Sequence, residues 1–320
     1  MGSLLTLFGL LAGGYAFGRS SFGKTHAARV SQFLNRWVIR VALPALVFQK
    51  IHALPDFSLN QSEIYFPASQ PWIQFSLALI VLSILKRFLK MSLSVWAALV
   101  MTVGLGNTSF VGLPLLNALL GPESLATGII QDQLGSFLIL SVVGIPFAKM
   151  ISSRLESRTG SGWRGILGSL SRPLRFPAFI ALVLAVLLSD WQFPNVFGGV
   201  LGLLASSLSP AALLSVGMML RFSTLKRPEV RHPLAVGLVL KLILFPALFF
   251  WVYPQWAAAV GGVPALVLHT VLLESAMASQ ITGGLIAAEE GLSPDLARLM
   301  VGVSIPLSLV SVSVWKLFLP

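Results

Sequence analysis

Ten apolar runs, each of 17 to 26 residues, fill most of the chain, and the stretches between them hold most of its charge. A bilayer core is about 30 Å thick, and a helix needs roughly 20 mostly apolar residues to cross it. The runs read as spans at 2–18, 33–52, 71–89, 94–119, 124–149, 176–192, 196–220, 233–256, 263–288 and 296–318. Of the 320 residues, 56% are hydrophobic and only 10% charged. Soluble domains carry about 25% charged residues, and no soluble core could hide this much apolar surface. Backbone inside lipid must satisfy its own hydrogen bonds, which at this run length means helices. The expected fold is an all-α polytopic membrane protein with short loops and one membrane domain. Ser20 to Trp37, between the first two spans, is mixed and basic and reads as a short amphipathic stretch on the membrane surface.

The net charge of +11 would suit a nucleic-acid partner. Its distribution argues otherwise, because the basic residues sit between apolar runs. Arg19, Lys24, Arg29, Arg36 and Arg40 lie at loop 1–2, and Lys86, Arg87 and Lys90 at loop 3–4. Lys149, Arg154, Arg158, Arg164, Arg172 and Arg175 lie at loop 5–6. Arg221, Lys226, Arg227 and Arg231 lie at loop 7–8, and Arg298 follows span 9. The intervening loops hold Asp56, Glu63, Glu123 and Asp190, and only Lys50, Lys241 and Lys316 escape the pattern. Cytoplasmic loops carry the excess of Lys and Arg, so both termini are expected on the non-cytoplasmic side. Ser3 to Gly18 has no basic residue before it and Arg19 after it. That is the reverse of a secretory leader, so this run is read as a retained first span.

Enzyme chemistry finds little support. There are no cysteines, and His26, His52, His232 and His269 are scattered, so neither a thiolate site nor a close-spaced histidine pair exists. No Gly-x-Ser-x-Gly elbow, His-Glu-x-x-His helix or phosphate loop appears. His269 and Ser275 are six residues apart, an offset that does not stack on one helix face.

The halves are weakly alike. Ala42-Leu43-Pro44-Ala45-Leu46 in span 2 parallels Ser209-Pro210-Ala211-Ala212-Leu213 in span 7, with the prolines 166 residues apart. The same offset carries Asn107–Pro114 in span 4 onto 273–280 in span 9. Five spans per half requires the second copy to be inverted, an arrangement frequent in secondary transporters. The expected division is a first repeat at 1–150, a cytoplasmic linker at 151–175 and a second repeat at 176–320.

Span 4 holds Gly104-Leu105-Gly106-Asn107-Thr108-Ser109-Phe110-Val111-Gly112-Leu113-Pro114. Proline removes a helix hydrogen bond and glycine weakens the helix. Interrupted backbone survives at membrane depth only in a protein interior or a water-filled cavity. The run is either a kink packed by glycines or a broken helix whose free amides and carbonyls bind solute. Span 9 holds Glu274-Ser275-Ala276-Met277-Ala278-Ser279-Gln280, with Glu274 near the middle of the span. A carboxylate there is costly and usually functional; the alternative is a hydrogen-bonded structural glutamate. Asp132, in Gln131-Asp132-Gln133 of span 5, reaches either the cavity or the outer interface. Lys241 in span 8 either snorkels or faces inward to pair with Asp132, Glu274 or an anionic solute. Asn117 is either a packing group or part of the site, and Trp72, Trp191, Trp251 and Trp256 read as interface anchors.

These motifs resemble a known family. Gly14-Tyr15 in span 1, Ala-Leu-Pro-Ala-Leu-Val-Phe at 42–48, Gly-Asn-Thr-x-Phe-x-Gly-x-Pro-Leu at 106–115 and Glu-Ser-Ala-Met at 274–277 are similar to the auxin efflux carriers, and in particular to bacterial members related to plant PIN-type carriers. The resemblance implies ten helices in two inverted five-helix repeats. Helices 4 and 9 would be interrupted and cross, as in bile-acid symporters and sodium/proton antiporters, and transport would follow an elevator-like movement. Its substrates are organic anions: auxin in plants, dicarboxylates proposed for bacteria. It implies Asn107, Pro114 and Asn117 at the span 4 crossover and Glu274 and Ser275 at the span 9 crossover, and it allows a homodimer. The family follows Glu-x-Ala-Met with proline, where this chain has Ala278, so the break in span 9 is expected to rest on Gly283-Gly284 and the polar run. The long cytoplasmic loop of plant carriers is absent.

The expected function is secondary transport of a small organic anion, auxin-like or dicarboxylate, across a bacterial cytoplasmic (inner) membrane. The expected partners are that solute and the bilayer, with no nucleic acid and no bound cofactor. Candidate solute ligands are Asn107, Thr108, Gly112, Pro114, Asn117, Ser275, Ser279 and Gln280. Asp132, Glu274 and Lys241 are candidates for ion coupling or charge balance. Sodium at Glu274 and Gln280, which are similar to the polar ligands of sodium-dependent bile-acid carriers, and a proton at Asp132 or Glu274 are alternative coupling ions. A channel-like protein is a further alternative.

Overall fold

The computed structural model describes residues 2–53, 61–155, 176–220 and 228–320. Among them every element is helical. In chain order these are α1 (Gly2–Arg19), α2 (Ser21–Trp37), α3 (Leu43–His52), α4 (Gln61–Phe88), α5 (Leu93–Val103), α6 (Leu113–Leu120), α7 (Ser124–Ile130) and α8 (Ile145–Leu155). The second half continues with α9 (Pro177–Leu187), α10 (Asn195–Ser206), α11 (Leu208–Met219), α12 (Pro228–Val239), α13 (Phe245–Ala259), α14 (Ala265–Ser275), α15 (Ile281–Glu289) and α16 (Pro294–Trp315). Wide helical turns at 38–42, 131–137, 140–144 and 240–244 join neighbouring segments. Five helical stretches are long and apolar enough to cross a membrane: Ser62–Phe88, Ser124–Leu155, Asn195–Met219, Glu229–Ala259 and Pro294–Phe318. Leu93–Val103, Thr108–Leu120, Pro177–Leu187 and Ala265–Ser275 are shorter apolar helices.

Three helices depart from the expected bounds. The third span starts ten residues early, at Gln61, with Pro67 and Pro71 inside α4. Gly135 makes room for Pro71, whose ring would meet a methyl group there at 2.5 Å. The sixth is shorter than expected, Pro177–Leu187. The amphipathic stretch is a full helix, α2, capped where Ser20 Oγ accepts from the Gly23 amide at 2.9 Å. It is not a free surface segment: Ser215 Oγ on α11 donates to Asn35 Oδ1 at 2.6 Å and to Ser31 O at 3.1 Å. Of the proposed linker at 151–175, residues 156–175 lie outside the described residues, and so do Asp56, Arg221, Lys226 and Arg227.

Packing sorts the helices into two groups. The first holds α1–α3 with α9–α11, the second α4–α8 with α12–α16. In the first group α1 and α11 cross at Gly14 and Gly217, where a methyl group on Gly14 would lie 3.1 Å from Gly217 Cα. Small residues permit such backbone approach inside membranes. Three apolar clusters result. Leu105 belongs to the first, Leu113 to the second, and Leu273, Ala276 and Met277 to the third. The two helix interruptions described next therefore sit where all three clusters abut.

Candidate functional site

Two helices break, and the breaks pair with each other. α5 ends at Val103 and helix resumes only at Thr108. α14 ends at Ser275 and α15 begins at Ile281. Between them Gly106 and Ser279 form an isolated antiparallel bridge. The Asn107 amide donates to Ala278 O at 2.8 Å, and the Gln280 amide to Leu105 O at 3.1 Å. Ser304 Oγ on α16 accepts from the Ser279 amide at 3.0 Å. Gln74 Nε2 on α4 donates at 3.1 Å to Val103 O, which α5 leaves without a helical partner. Buried backbone must be paired, and here each break supplies the other's partners.

The span 9 break lies in the expected polar run and not at the glycine pair. It falls at Ala276–Gln280, whereas Gly283 and Gly284 lie inside α15. Their role is packing: a methyl group on Gly283 would lie 2.9 Å from Leu105 Cδ1, and one on Gly284 would strike Val301. Ala278 needs no proline because strand-like pairing holds the chain open. Pro114 is the second residue of α6, just after the wide turn 108–112, so it sits at a helix start rather than at a kink.

A cavity opens beside the breaks. Asn107, Thr108, Ser109, Asp132, Gln280 and Thr282 form its polar wall. Ile39, Leu43, Phe110, Phe137, Leu140, Phe176 and Ile281 form its apolar wall. Ile39, Leu43 and Phe176 belong to the first packing group and the rest to the second, so the cavity lies on the seam. The helical segments starting at Thr108 and Ile281 both begin at this cavity, and helix N-termini favour anions.

Asp132 is the one ionisable side chain in the cavity wall among the described residues. Its Oδ1 accepts from Thr108 Oγ1 and, at 2.5 Å, from Ser109 Oγ, and its Oδ2 accepts from Gln133 Nε2 at 2.6 Å. Behind it runs a buried amide chain: Gln131 Nε2 donates to Gln70 Oε1 at 2.8 Å, and Gln70 Nε2 to Gln74 Oε1 at 2.6 Å. The chain ends on Val103 O and so ties α4 and the wide turn 131–137 to the first break.

The other predicted residues distribute around this centre. Gly112 lies against the Glu274 carboxylate, and a methyl group there would fall 2.6 Å from Oε1. Glu274 is buried, and neither carboxylate oxygen has a hydrogen-bond partner among the described residues. Lys241 is fully buried on the wide turn 240–244, with its Nζ equally unpartnered. Ser279 is buried at the bridge. Ser275 donates back to Leu272 O at 2.6 Å within its own helix, and Asn117 is exposed on α6; neither lines the cavity. Among the described residues no group of three His, Asp or Glu could hold a metal ion. His269 meets Pro320 O at 2.9 Å. Lys316, an exception to the charge pattern, donates at 2.5 Å to Leu119 O at the end of α6, as suits a cation at a helix C-terminus.

Sequence reasoning missed Gln70, Gln74 and Ser304. The i,i+4 spacing of Gln70 and Gln74, which puts both amides on one helix face, was the available signal. It also passed over the apolar wall, whose residues look like any lipid-facing ones.

A family model described as membrane transport protein matches residues 1–162 and 163–316, nearly the whole chain. The chain belongs to this family. It is thus an integral membrane protein of the auxin efflux carrier family, as its span 4 and span 9 motifs suggest. It is similar to an uncharacterized transporter of Methanothermobacter thermautotrophicus, 27% identical over 290 residues that cover 89% of this chain and 88% of the relative. It is also similar to an uncharacterized transporter of Methanocaldococcus jannaschii, 26% identical over 297 residues with the same two shares. The matches run through both breaks, so in this carrier family member they belong to the part shared with the relatives.

Proposed function

We propose that the protein is a secondary transporter of small organic anions that works by elevator-type alternating access. The observation that carries this reading is the cavity on the seam, with two helix N-termini on its polar wall and aromatic rings opposite. A carboxylate would sit at the amide ends near Thr108 and Ile281, beside Asn107 and Gln280, and an apolar body would lie against Phe110, Phe137 and Phe176. Such a wall suits an auxin-like monocarboxylate better than a dicarboxylate. The seam supports movement of the second packing group, which carries both breaks, against the first. In this reading ten spans form two inverted repeats, at 1–150 and 176–320, joined by the linker at 151–175. The protein would sit in the cytoplasmic membrane with both termini outside. Transport needs no bound cofactor.

Protein in liposomes is expected to take up labelled monocarboxylates with saturable, counterflow-competent kinetics, and Asn107→Ala to abolish the flux. Unchanged flux in that variant would remove the site assignment. A proton-coupled form of the same transport is favoured by one feature, the place of Asp132 in the cavity wall. An anion and an ionised Asp132 would repel each other there, so solute and proton would enter together.

A further inference from the structure

The resemblance to sodium-coupled carriers would put a sodium ion at Glu274 and Gln280, and the residues present do not fit one. Sodium sites of this architecture draw on unwound carbonyls and half-helix C-terminal ends. Four of these carbonyls each accept one hydrogen bond here: Leu105 O from Gln280, Ala278 O from Asn107, Glu274 O from Met277 and Val103 O from Gln74, which leaves them a single lone pair each. The two side chains also face different neighbours. The Glu274 carboxylate lies against Gly112 and Gly128, whereas Gln280 Oε1 turns towards Gly283.

A cation is nevertheless at hand. Lys241 Nζ lies 3.6 Å from the point where a Gly106 methyl group would stand, and Glu274 O lies 3.9 Å from the same point. The amine therefore reaches the bridge residue itself, at van der Waals distance from where a Gly106 methyl group would stand. α5 and α14 end at Val103 and Ser275, so the negative ends of two helices point here, where a positive charge is favoured. Glu274 and Lys241 are both buried, and neither has a hydrogen-bond partner among the described residues. We infer that Lys241 is a tethered counter-cation for Glu274 and fills the place that a sodium ion would otherwise take. The centre then needs no dissolved cation to hold its two breaks together.

Thermal unfolding in detergent tests this, and its readouts do not depend on which solute is carried. At fixed ionic strength, replacing choline chloride by sodium chloride is expected to leave the unfolding temperature of the native protein unchanged. A saturable, sodium-specific rise would overturn the inference. Lys241→Met and Glu274→Gln are each expected to unfold about 10 °C lower, as half of a broken buried pair. The double variant is expected to recover most of that loss. A double variant no more stable than Lys241→Met would overturn the pairing. If the single variants fail to fold, a monodisperse double variant is the supporting result and its failure the opposing one, with the sodium comparison on native protein as an independent check.

Discussion

Asp132 shows how much one side chain can be asked to hold. Three donors converge on it from Thr108, Ser109 and Gln133. Removing a buried acceptor leaves each donor unmet, at about 1–3 kcal/mol apiece. Asp132→Ala should therefore lower the unfolding temperature well below that of Asp132→Asn, which keeps one acceptor oxygen. In liposomes Asp132→Asn should carry solute without responding to an imposed pH gradient; a response equal to the native protein's would rule out Asp132 as the proton carrier. Gly112 makes the complementary point. A methyl group there would overlap the Glu274 carboxylate, and overpacking a full core costs about 1–3 kcal/mol. Gly112→Ala is expected to show that loss in thermal unfolding, whereas alanine at Gly198, where nothing stands within 4 Å, should not. Asp132 and Glu274 stood out in the sequence because a carboxylate deep in an apolar run needs a reason. Their surroundings did not, because a glycine that shapes a carboxylate pocket looks like one that packs helices.

At the level of elements, the two breaks differ in what makes them. The span 4 break was legible from its own residues, since Gly104 and Gly106 both weaken a helix. The span 9 break was legible in its existence and, through the polar run but not the glycine pair, only in part in its place. Nothing local at Ala276–Gln280 forbids a helix; the helix yields there because Leu105, Asn107 and Ser304 offer better partners. That is a tertiary override of propensity, which a sequence pattern cannot register. Two substitutions separate local from tertiary causes. No hydrogen bond of the break uses the Ala278 amide, so Ala278→Pro should be neutral or stabilise by about 0.4–1 kcal/mol. Ser304→Ala strands the Ser279 amide and should cost about 1–3 kcal/mol. Thermal unfolding of both variants reads the difference, and a harmless Ser304→Ala would mean the break holds itself. α4 is the converse case. The span was expected to start at 71, yet the helix begins at Gln61 and runs through Pro67 and Pro71, with Gly135 accommodating Pro71.

For the whole molecule, the question is whether the seam moves. The cavity takes Phe176 from one packing group and Phe137 from the other, and the two rings stack with centroids 4.1 Å apart. A rigid channel could keep that contact through every turnover, whereas an elevator must break it. The chain has no cysteines, so Phe137→Cys with Phe176→Cys would supply its only thiols. Bridging them with a thiol-specific mercurial ion should stop solute flux, and excess thiol should restore it. Each single variant treated with the same reagent should keep its flux, which separates tethering from mere blockage of the cavity. Undiminished flux through the bridged protein would mean that the two groups do not slide. Ligand-induced stabilisation of the bridged form would then add the remaining distinction: a tethered elevator still binds its carboxylate in the trapped state, because the amide ends at Thr108 and Ile281 travel with one group and need no movement to meet the anion.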